Sequence, residues 1–139
     1  MQIILLKVLQ LRHFCFFKYF SMPFFKQDNP FIVPTTDGKL IEEHIGASTG
    51  ETTLSIAHML APAGWSEPFQ NPEFDEYTLV NSGKKLFEVD GEKVIVSAGE
   101  SILIKKGSRV RYSNPFEKAC EYWSICLPAF SIDNVHRED

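Results

Sequence analysis

Turn-forming residues recur at short intervals along this chain, and this spacing constrains the fold more than any other feature. From residue 30 onward, turns that contain glycine or proline are separated by only about 8 to 12 residues. The segments between them are rich in β-branched and aromatic residues, as in TLSIAHML, EYTLV and KLFEV. No long segment has helical periodicity. We therefore predict an all-β domain, either a sandwich or a barrel of short strands.

The segment FEVDGEKVIV gives the most specific local prediction. Asp90-Gly91 stands between two alternating runs, and such a two-residue connection is typical of a type I′ hairpin. Both central residues of that turn need a positive φ, which Gly adopts freely and Asp tolerates. We expect two antiparallel strands joined at these residues.

Length and charge exclude several classes of protein. The chain has 139 residues, 44% of them hydrophobic, which suits one domain with a substantial core. Its net charge of −4 supplies no basic field for a nucleic acid. No stretch approaches the roughly 18 uncharged apolar residues that a membrane-spanning helix needs. We therefore expect neither nucleic-acid binding nor a membrane span.

Residues 1–21 differ from the remainder because they carry Lys7, Arg12 and Lys18 but no acidic residue. These charges interrupt the apolar stretch that a secretory signal requires. We interpret residues 1–21 as an extension from a non-native start, and residues 22–139 as the domain. A targeting segment and a genuine helix remain as alternatives for the extension.

The three cysteines, Cys15, Cys120 and Cys126, are too few and too irregularly spaced for a disulfide framework. If Cys120 and Cys126 share one extended strand, they lie roughly 20 Å apart, which is too far to form a bond. We interpret all three as reduced thiols, which predicts a cytoplasmic protein.

Two spaced motifs follow one another on predicted strands. The first begins at Gly64, continues after five residues with Gln70-Asn71-Pro72, and then reaches Glu76 and Gly83. The second, over residues 99–114, begins at a glycine, continues with Lys105-Lys106-Gly107 and ends with Val110 and Asn114.

In both spacings the chain resembles the cupin family, over roughly residues 50–128. Cupins carry histidines where this chain has Gln70, Pro72 and Val110, and they carry a glutamate where it has Glu76. The resemblance implies an all-β fold, a cupin β-barrel or double-stranded β-helix that is jelly-roll-like, with motifs at 64–83 and 99–114. The glycines of the motifs would supply the positive φ that tight turns between strands require.

The metal sites of cupins combine three imidazoles with a carboxylate, and here only Gln70 and Glu76 offer ligand atoms. The resemblance therefore implies a barrel without the usual transition metal and without a cofactor, with these two residues as weak candidate ligands. In an alternative, Glu67, Glu73 and Asp75 join Glu76 in an oxygen-rich site for Mg²⁺ or Ca²⁺.

Strand alternation predicts which side chains enter the barrel. If Glu76 points inward, so does Thr78, while Tyr77 and Leu79 point outward and need cover. Such an apolar outer face predicts a homodimer. If Val110 points inward, so does its neighbour two residues on, while Arg109 and Arg111 point outward.

On the strand before Pro62 we expect Leu60 in the core and His58 on the same inward face. His58 would then lie near Glu76 and form a candidate proton-transfer pair with it. Of Tyr122 and Trp123, one must face inward. The residues predicted to bind a ligand are Gln70, Thr78, Tyr112 and Trp123. The last residues, LPAFSIDNVHRED, are expected along the barrel exterior, with His136 and Arg137 at the surface.

The leading hypothesis is a protein that binds a small polar or sugar-like molecule inside the barrel. One alternative is a metal-independent isomerase or epimerase that uses His58 and Glu76. Others are a metal enzyme with the acidic site and a dimeric scaffold with a filled interior. The sequence does not decide whether the protein is an enzyme.

Overall fold

The computed structural model describes residues 22–139 and consists of two antiparallel β-sheets packed on a common core. The all-β prediction is confirmed: the described part has nine strands, no α-helix and two short 3₁₀ helices, Ala47–Thr49 and Ile132–Asn134. The strands are β1 (Phe31–Ile32), β2 (Leu40–Ile45), β3 (Ser55–Ala61), β4 (Asp75–Ser82), β5 (Lys84–Val89), β6 (Glu92–Ser97), β7 (Ser101–Ile104), β8 (Val110–Ser113) and β9 (Cys120–Leu127).

The larger sheet has six strands in the order β1-β2-β3-β9-β4-β7, and the smaller sheet has three in the order β6-β5-β8. All pairings between neighbouring strands are antiparallel. The chain passes from the larger sheet to the smaller one at Gly83, between β4 and β5. The interior therefore receives side chains from one face of each sheet.

The hairpin predicted at Asp90-Gly91 is present between β5 and β6, which pair from Lys84 with Ser97 to Val89 with Glu92. Both turn residues have positive φ, 47° at Asp90 and 87° at Gly91, as the type I′ geometry requires.

Gly83 is fixed by close packing as well as by its conformation. Its φ is 77°, and a Cβ there would lie 2.4 Å from the carbonyl oxygen of Ala119. The turn between the two sheets therefore passes directly against the residue before β9, which only glycine permits.

The asparagine that ends the second motif also has a structural role. Asn114 is fully buried, and its side-chain amide donates hydrogen bonds to the carbonyls of Ala61 (3.1 Å) and Lys118 (2.8 Å). It ties the end of β3 to the segment after β8. These hydrogen bonds need no metal, so the asparagine of the motif stabilises the fold even where the metal ligands are replaced.

The core lies between the sheets and includes a T-shaped pair of Phe87 and Tyr112, with ring centroids 5.6 Å apart. Val110 is fully buried in the same core, which confirms that it and Tyr112 face inward, while Arg109 is exposed on the outside. The core cluster consists of Ala61, Trp65, Val80, Phe87, Val96, Ile104, Val110, Tyr112, Cys120 and Tyr122.

The phase of alternation was predicted correctly for β4 and wrongly for β3. Tyr77 and Leu79 face outward, with exposed fractions of 38% and 44%, as expected. Leu60, expected in the core, is also on the outer face and 38% exposed. The run SIAHMLA has apolar residues in both phases, so hydrophobicity did not reveal which set is buried. Its inward face consists of Ser55, Ala57, Met59 and Ala61.

Cys120 and Cys126 lie at the two ends of β9 as free, buried thiols, so the prediction that they are not bonded to each other is confirmed. Cys15 and the extension over residues 1–21 lie outside the described residues. From Met22 to the C-terminus, no helix reaches the length and apolar character needed to cross a membrane.

Candidate ligand-binding cavity

A cavity of about 260 Å³ lies inside the barrel, between the inner faces of both sheets. Strands β2, β3, β4 and β9 contribute one wall, while Lys85 of β5 and Tyr112 of β8 contribute the other. Residues 33–37 and the C-terminal side chains of Phe130, Ile132 and Arg137 border it as well. The position matches the barrel interior in which the sequence analysis placed a ligand.

A buried ion pair occupies one side of the cavity. Lys39 Nζ donates to Glu67 Oε2 at 3.2 Å, and both side chains are less than one-tenth exposed. Arg137 of the C-terminal segment approaches the same carboxylate at 3.7 Å. The Lys39 ammonium also lies over the Trp65 ring, 4.4 Å from its centroid, and the Trp65 indole donates to Asp37 at 2.7 Å. These contacts hold the charged groups in place and neutralise Glu67.

Glu76 points into the cavity from β4, as predicted. Its Oε2 accepts hydrogen bonds from Ser124 Oγ at 2.9 Å and from Cys126 Sγ at 3.5 Å, both on the adjacent strand β9. Burial, reinforced by the Glu76 charge, raises the pKa of the Cys126 thiol well above its usual range, so it acts as a neutral donor.

Two tyrosines of the cavity wall have buried hydroxyls that find no hydrogen-bond partner among the described residues. Within residues 22–139 the hydroxyls of Tyr112 and Tyr122 form no hydrogen bond, although Glu76 and Gln70 flank the Tyr112 hydroxyl. Both residues line the cavity and are at most 3% exposed. Burial raises the pKa of both tyrosines well above the usual range, so both remain neutral hydroxyls.

Lys85 is the most unusual residue of the cavity. It is 3% exposed, and in the described part of the chain no carboxylate is close enough to form an ion pair with it. Its Nζ instead lies over aromatic rings, 3.6 Å from the centroid of Tyr122 and 4.7 Å from that of Tyr112. Burial lowers the pKa of Lys85 to about 8, while the charge of Glu76 acts in the opposite direction.

Gln70 and Val110 lie opposite each other on neighbouring segments. Each backbone N–H donates to the other's carbonyl at 2.8 Å, which forms an antiparallel bridge. The Gln70 side chain lines the cavity, and its Oε1 accepts a weak hydrogen bond from Arg137 Nε at 3.4 Å. The two motifs therefore meet at this bridge.

Comparison with known proteins agrees with this architecture. The family model of the cupin domain matches residues 57–126, which include β3 to β9 except for the two outermost residues of β3 and the last residue of β9. The chain belongs to the cupin family.

Relatives of known sequence or structure add context to this assignment. A protein named endoribonuclease YbeY from Myxococcus xanthus is 49% identical over 108 residues, which is 77% of this chain but only 37% of that protein. A Streptomyces PAC13 variant solved with uridine has a TM-score of 0.67 at 15% identity, covering 85% of this chain and 92% of that chain. The polyketide cyclase RemF from Streptomyces resistomycificus has a TM-score of 0.67 at 14% identity, covering 85% and 86%. At such identities the two structures show the shared fold alone.

The oxygen-rich metal site considered as an alternative is not formed in this cupin. Asp75 binds Lys105 at 2.7 Å, Glu73 binds His136 at 2.9 Å, and Glu67 binds Lys39. In the part of the chain that the structure describes, no three His, Cys, Asp or Glu side chains are grouped so as to hold a metal ion. The acids are separated because each one is engaged by a basic partner in a different direction.

His58 does not enter the barrel, so the predicted pairing of His58 with Glu76 is wrong. It lies on the outer face of β3, where its ring nitrogens contact Glu42 at 2.8 Å and Glu121 at 3.1 Å. Burial opposes its charge, but the two carboxylates outweigh burial and raise the pKa of His58. Charged partners on both neighbouring strands stabilise the ring outside, where water also reaches it.

Two predicted ligand-binding residues also lie outside the cavity wall. Trp123 is directly opposite His58 on β9 and faces outward, with its ring centroid 5.0 Å from that of His58. Tyr122 takes the inward position instead. Thr78 points inward and is fully buried, but it is not among the residues that line the cavity. Gln70, Glu76 and Tyr112 are the predicted residues that the fold brings together.

Lys39, Lys85 and Arg137 line the cavity but were not predicted to do so, and the sequence left open which of Tyr122 and Trp123 faces inward. Lys85 had a detectable signal, because it stands two residues before the buried Phe87 and so shares its face of β5. Arg137 had none. It is exposed, as expected, with 42% of its side chain accessible, but it also borders the cavity, because a backbone hydrogen bond from Glu138 to Phe69 (2.8 Å) holds the C-terminal segment there.

Proposed function

We propose that this cupin binds a small polar molecule inside its barrel without a transition metal. The observation that carries the proposal is Tyr122, whose side chain lines the cavity and whose buried hydroxyl has no hydrogen-bond partner among the described residues. Leaving a buried hydroxyl unpaired costs about 1–3 kcal/mol. A ligand that accepts from this hydroxyl, and from that of Tyr112, would recover the cost.

The polar groups of the cavity favour a ligand with both acceptor and donor atoms. The two tyrosine hydroxyls and Lys85 can donate, while Glu76 and the Gln70 carbonyl can accept. Met59, Ala57 and the aromatic rings contribute apolar surface between these groups. The volume of about 260 Å³ is just below the usual range of ligand pockets, roughly 300–1,000 Å³, so the ligand is small.

The donor set does not fit the transition metals that cupins bind. Val110 and Pro72 stand at two histidine positions of the motif and have no ligand atom in their side chains. Gln70 supplies only a neutral amide, which leaves Glu76 as the one anionic ligand of the motif. Imidazoles are the nitrogen ligands that Zn, Cu, Fe and Ni favour, so we derive no chemistry through a metal here.

The proposal also covers the oligomeric state of the protein and its location in the cell. We expect a homodimer formed through the outer face of the larger sheet, where apolar side chains are exposed, and a cytoplasmic location in keeping with the free thiols. The ribonuclease name does not extend to this chain, because the chain spans only 37% of that relative, and its net charge of −4 does not favour binding to RNA.

A ligand screen with matched variants tests the proposal. Thermal-shift measurements with sugars, polyols, hydroxy acids and nucleosides should identify a stabilising class. We expect Tyr122→Phe to leave the free protein at least as stable, because the lost hydroxyl had no partner, and to weaken ligand binding about tenfold. Tyr77→Phe, which removes a hydroxyl on the outer face, is the control. If no class stabilises the protein, or if both variants bind alike, the proposal is wrong.

A further inference from the structure

Within residues 22–139, Lys85 has no ion pair, although a buried ammonium ordinarily requires a carboxylate partner. The other buried lysine of the cavity, Lys39, has such a partner in Glu67. Lys85 has aromatic rings instead, those of Tyr122, Tyr112 and Phe87, with Phe87 centred 5.0 Å from Nζ. The described residues therefore hold an amine inside a cavity without a carboxylate paired to it.

We propose that Lys85 binds the ligand covalently, and that the ligands of this cavity are small aldehydes or ketones. The inference rests on the proposed function, since the carbonyl compound must enter the barrel. It deepens that function by naming the chemical class of the ligand and the residue that captures it.

The surroundings of Lys85 favour a nucleophilic amine. Burial among aromatic rings withdraws water from Nζ and disfavours the ammonium form, which is how proteins activate lysine toward carbonyl carbon. With the pKa lowered to about 8, a usable fraction of the amine is unprotonated near neutral pH. An exposed lysine, whose pKa is near 10.4, has far less free amine at the same pH.

The reaction balances with groups already in the cavity. The Nζ lone pair forms a bond to the carbonyl carbon, the C=O π bond breaks, and the oxygen takes up a proton to give a carbinolamine. One nitrogen proton is lost as the carbinolamine forms. The carbinolamine hydroxyl then takes up a second proton and leaves as water, the C=N bond forms, and loss of the remaining nitrogen proton gives the neutral imine. Among the groups of the same cavity, the Tyr112 and Tyr122 hydroxyls can donate hydrogen bonds to the oxygen, and Glu76, whose charge acts on Lys85, can accept a proton.

Reductive trapping on the intact protein tests the inference. The protein is incubated with pyruvate and sodium cyanoborohydride at pH 7, and modified lysines are located by peptide fragmentation mass spectrometry. We expect Lys85 to be modified at least about tenfold faster than exposed lysines such as its neighbour Lys84. Lys84→Met should leave the Lys85 adduct unchanged, whereas Lys85→Met and Lys85→Arg should abolish it.

A second measurement separates failure of this inference from failure of the proposed function. Methyl NMR signals of Ala57 and Met59, which line the cavity, report whether pyruvate enters without reduction. Shifted signals without a Lys85 adduct would overturn the covalent role and leave ligand binding intact. Unshifted signals without an adduct would overturn the covalent role and also count against entry into the cavity. Equal labelling of Lys84 and Lys85 would likewise contradict the inference.

Discussion

At the scale of single residues, Lys85 and Lys84 are adjacent in sequence but have opposite surroundings. Lys84 is exposed, with its Nζ 5.6 Å from the Phe116 ring centroid, whereas Lys85 is buried in the cavity. A strand places consecutive side chains on opposite faces, so this pair is a natural internal control. Comparing variants of these two residues therefore measures the energetic effect of burying one amine.

We predict that the buried amine makes stability depend on pH between about 8 and 10.5. The pKa of Lys85 is lowered from 10.5 to about 8 in the folded protein, so within this range the unfolded chain binds a proton that the folded chain does not. The contribution of Lys85 to the free energy of unfolding should therefore rise with pH, by an amount of the order of 3 kcal/mol. The gain is present above pH 10.5 and is lost as the pH falls through about 8.

Urea denaturation of three proteins between pH 7 and 10.5 measures this effect. Relative to Lys85→Met, the unaltered chain and Lys84→Met should both gain stability over this range. The comparison cancels the opposite effect of the buried thiol of Cys126 and the buried tyrosines, whose pKa values are raised. Lys85→Met should also be at least as stable as the unaltered chain at pH 7, because it buries no charge. Parallel pH profiles for the unaltered chain and Lys85→Met would contradict the prediction.

At the scale of strands and turns, the sequence predicts where the strands lie better than it predicts which face of a strand is buried. Strand existence was predictable because turn residues separate short β-prone runs, and the hairpin at Asp90-Gly91 was predictable because few residue pairs adopt two positive φ values. The face of β3 was not predictable, because Ile56 and Leu60 are as apolar as Ala57 and Met59. Only the partners Glu42 and Glu121, on strands distant in sequence, determine that His58 lies outside.

The candidate site was only partly predictable, because motif spacing and strand alternation indicate some of its residues and not others. Glu76, Gln70 and Tyr112 follow from motif spacing and from alternation in strands whose phase is anchored by a motif. Lys39 and Arg137 come from segments outside the motifs, and only the folded chain brings them to Glu67. Contacts of this kind depend on how the terminal segments return to the barrel, which local sequence does not encode.

Gly83 gives a prediction about the turn that joins the two sheets. We expect Gly83→Ala to lower the free energy of unfolding by about 2–4 kcal/mol, because the new Cβ meets backbone atoms before β9 and the φ is positive. Gly99→Ala is the control, since its φ of 85° imposes the same strain but nothing lies within 4 Å of its Cβ. That variant should lose only about 1–2 kcal/mol.

Chemical denaturation of both glycine variants, compared at one pH, tests this difference. The gap between them isolates the steric contact with the Ala119 carbonyl from the conformational strain they share. Equal losses would show that the backbone relaxes without cost at Gly83, and that the close approach does not restrain the turn.

At the scale of the whole molecule, the outer face of the larger sheet exposes several large apolar side chains. Leu60, Tyr77, Leu79 and Leu103 each expose between 38% and 44% of their surface there. Cross-strand pairing places Tyr77 opposite Leu103, with Ile125 on the other side, so these side chains form a continuous surface. Such a surface is typical of protein association, which is why we expect a homodimer.

We predict that Leu79→Lys shifts the protein from dimer to monomer, because a charge in the centre of an apolar interface must be desolvated without a partner. Sedimentation equilibrium over a range of concentrations measures the change. Ile95→Lys is the control, because Ile95 is 54% exposed on β6 of the smaller sheet. If the unaltered chain is a monomer, a homodimer is excluded. If the two variants have equal effects, the interface is not specific to the outer face of the larger sheet.

The bridge between Gln70 and Val110 has a consequence for how such barrels change over evolution. It is held by two main-chain hydrogen bonds, which any amino acid other than proline can form, so the bridge does not require particular side chains at these two positions. Asn114 and Gly83 likewise stabilise the fold, and neither residue lines the cavity. One lineage can therefore exchange imidazoles for other groups, or regain them, a substitution at a time while the strand pairing persists. The chemistry of the interior can diverge faster than the architecture that encloses it.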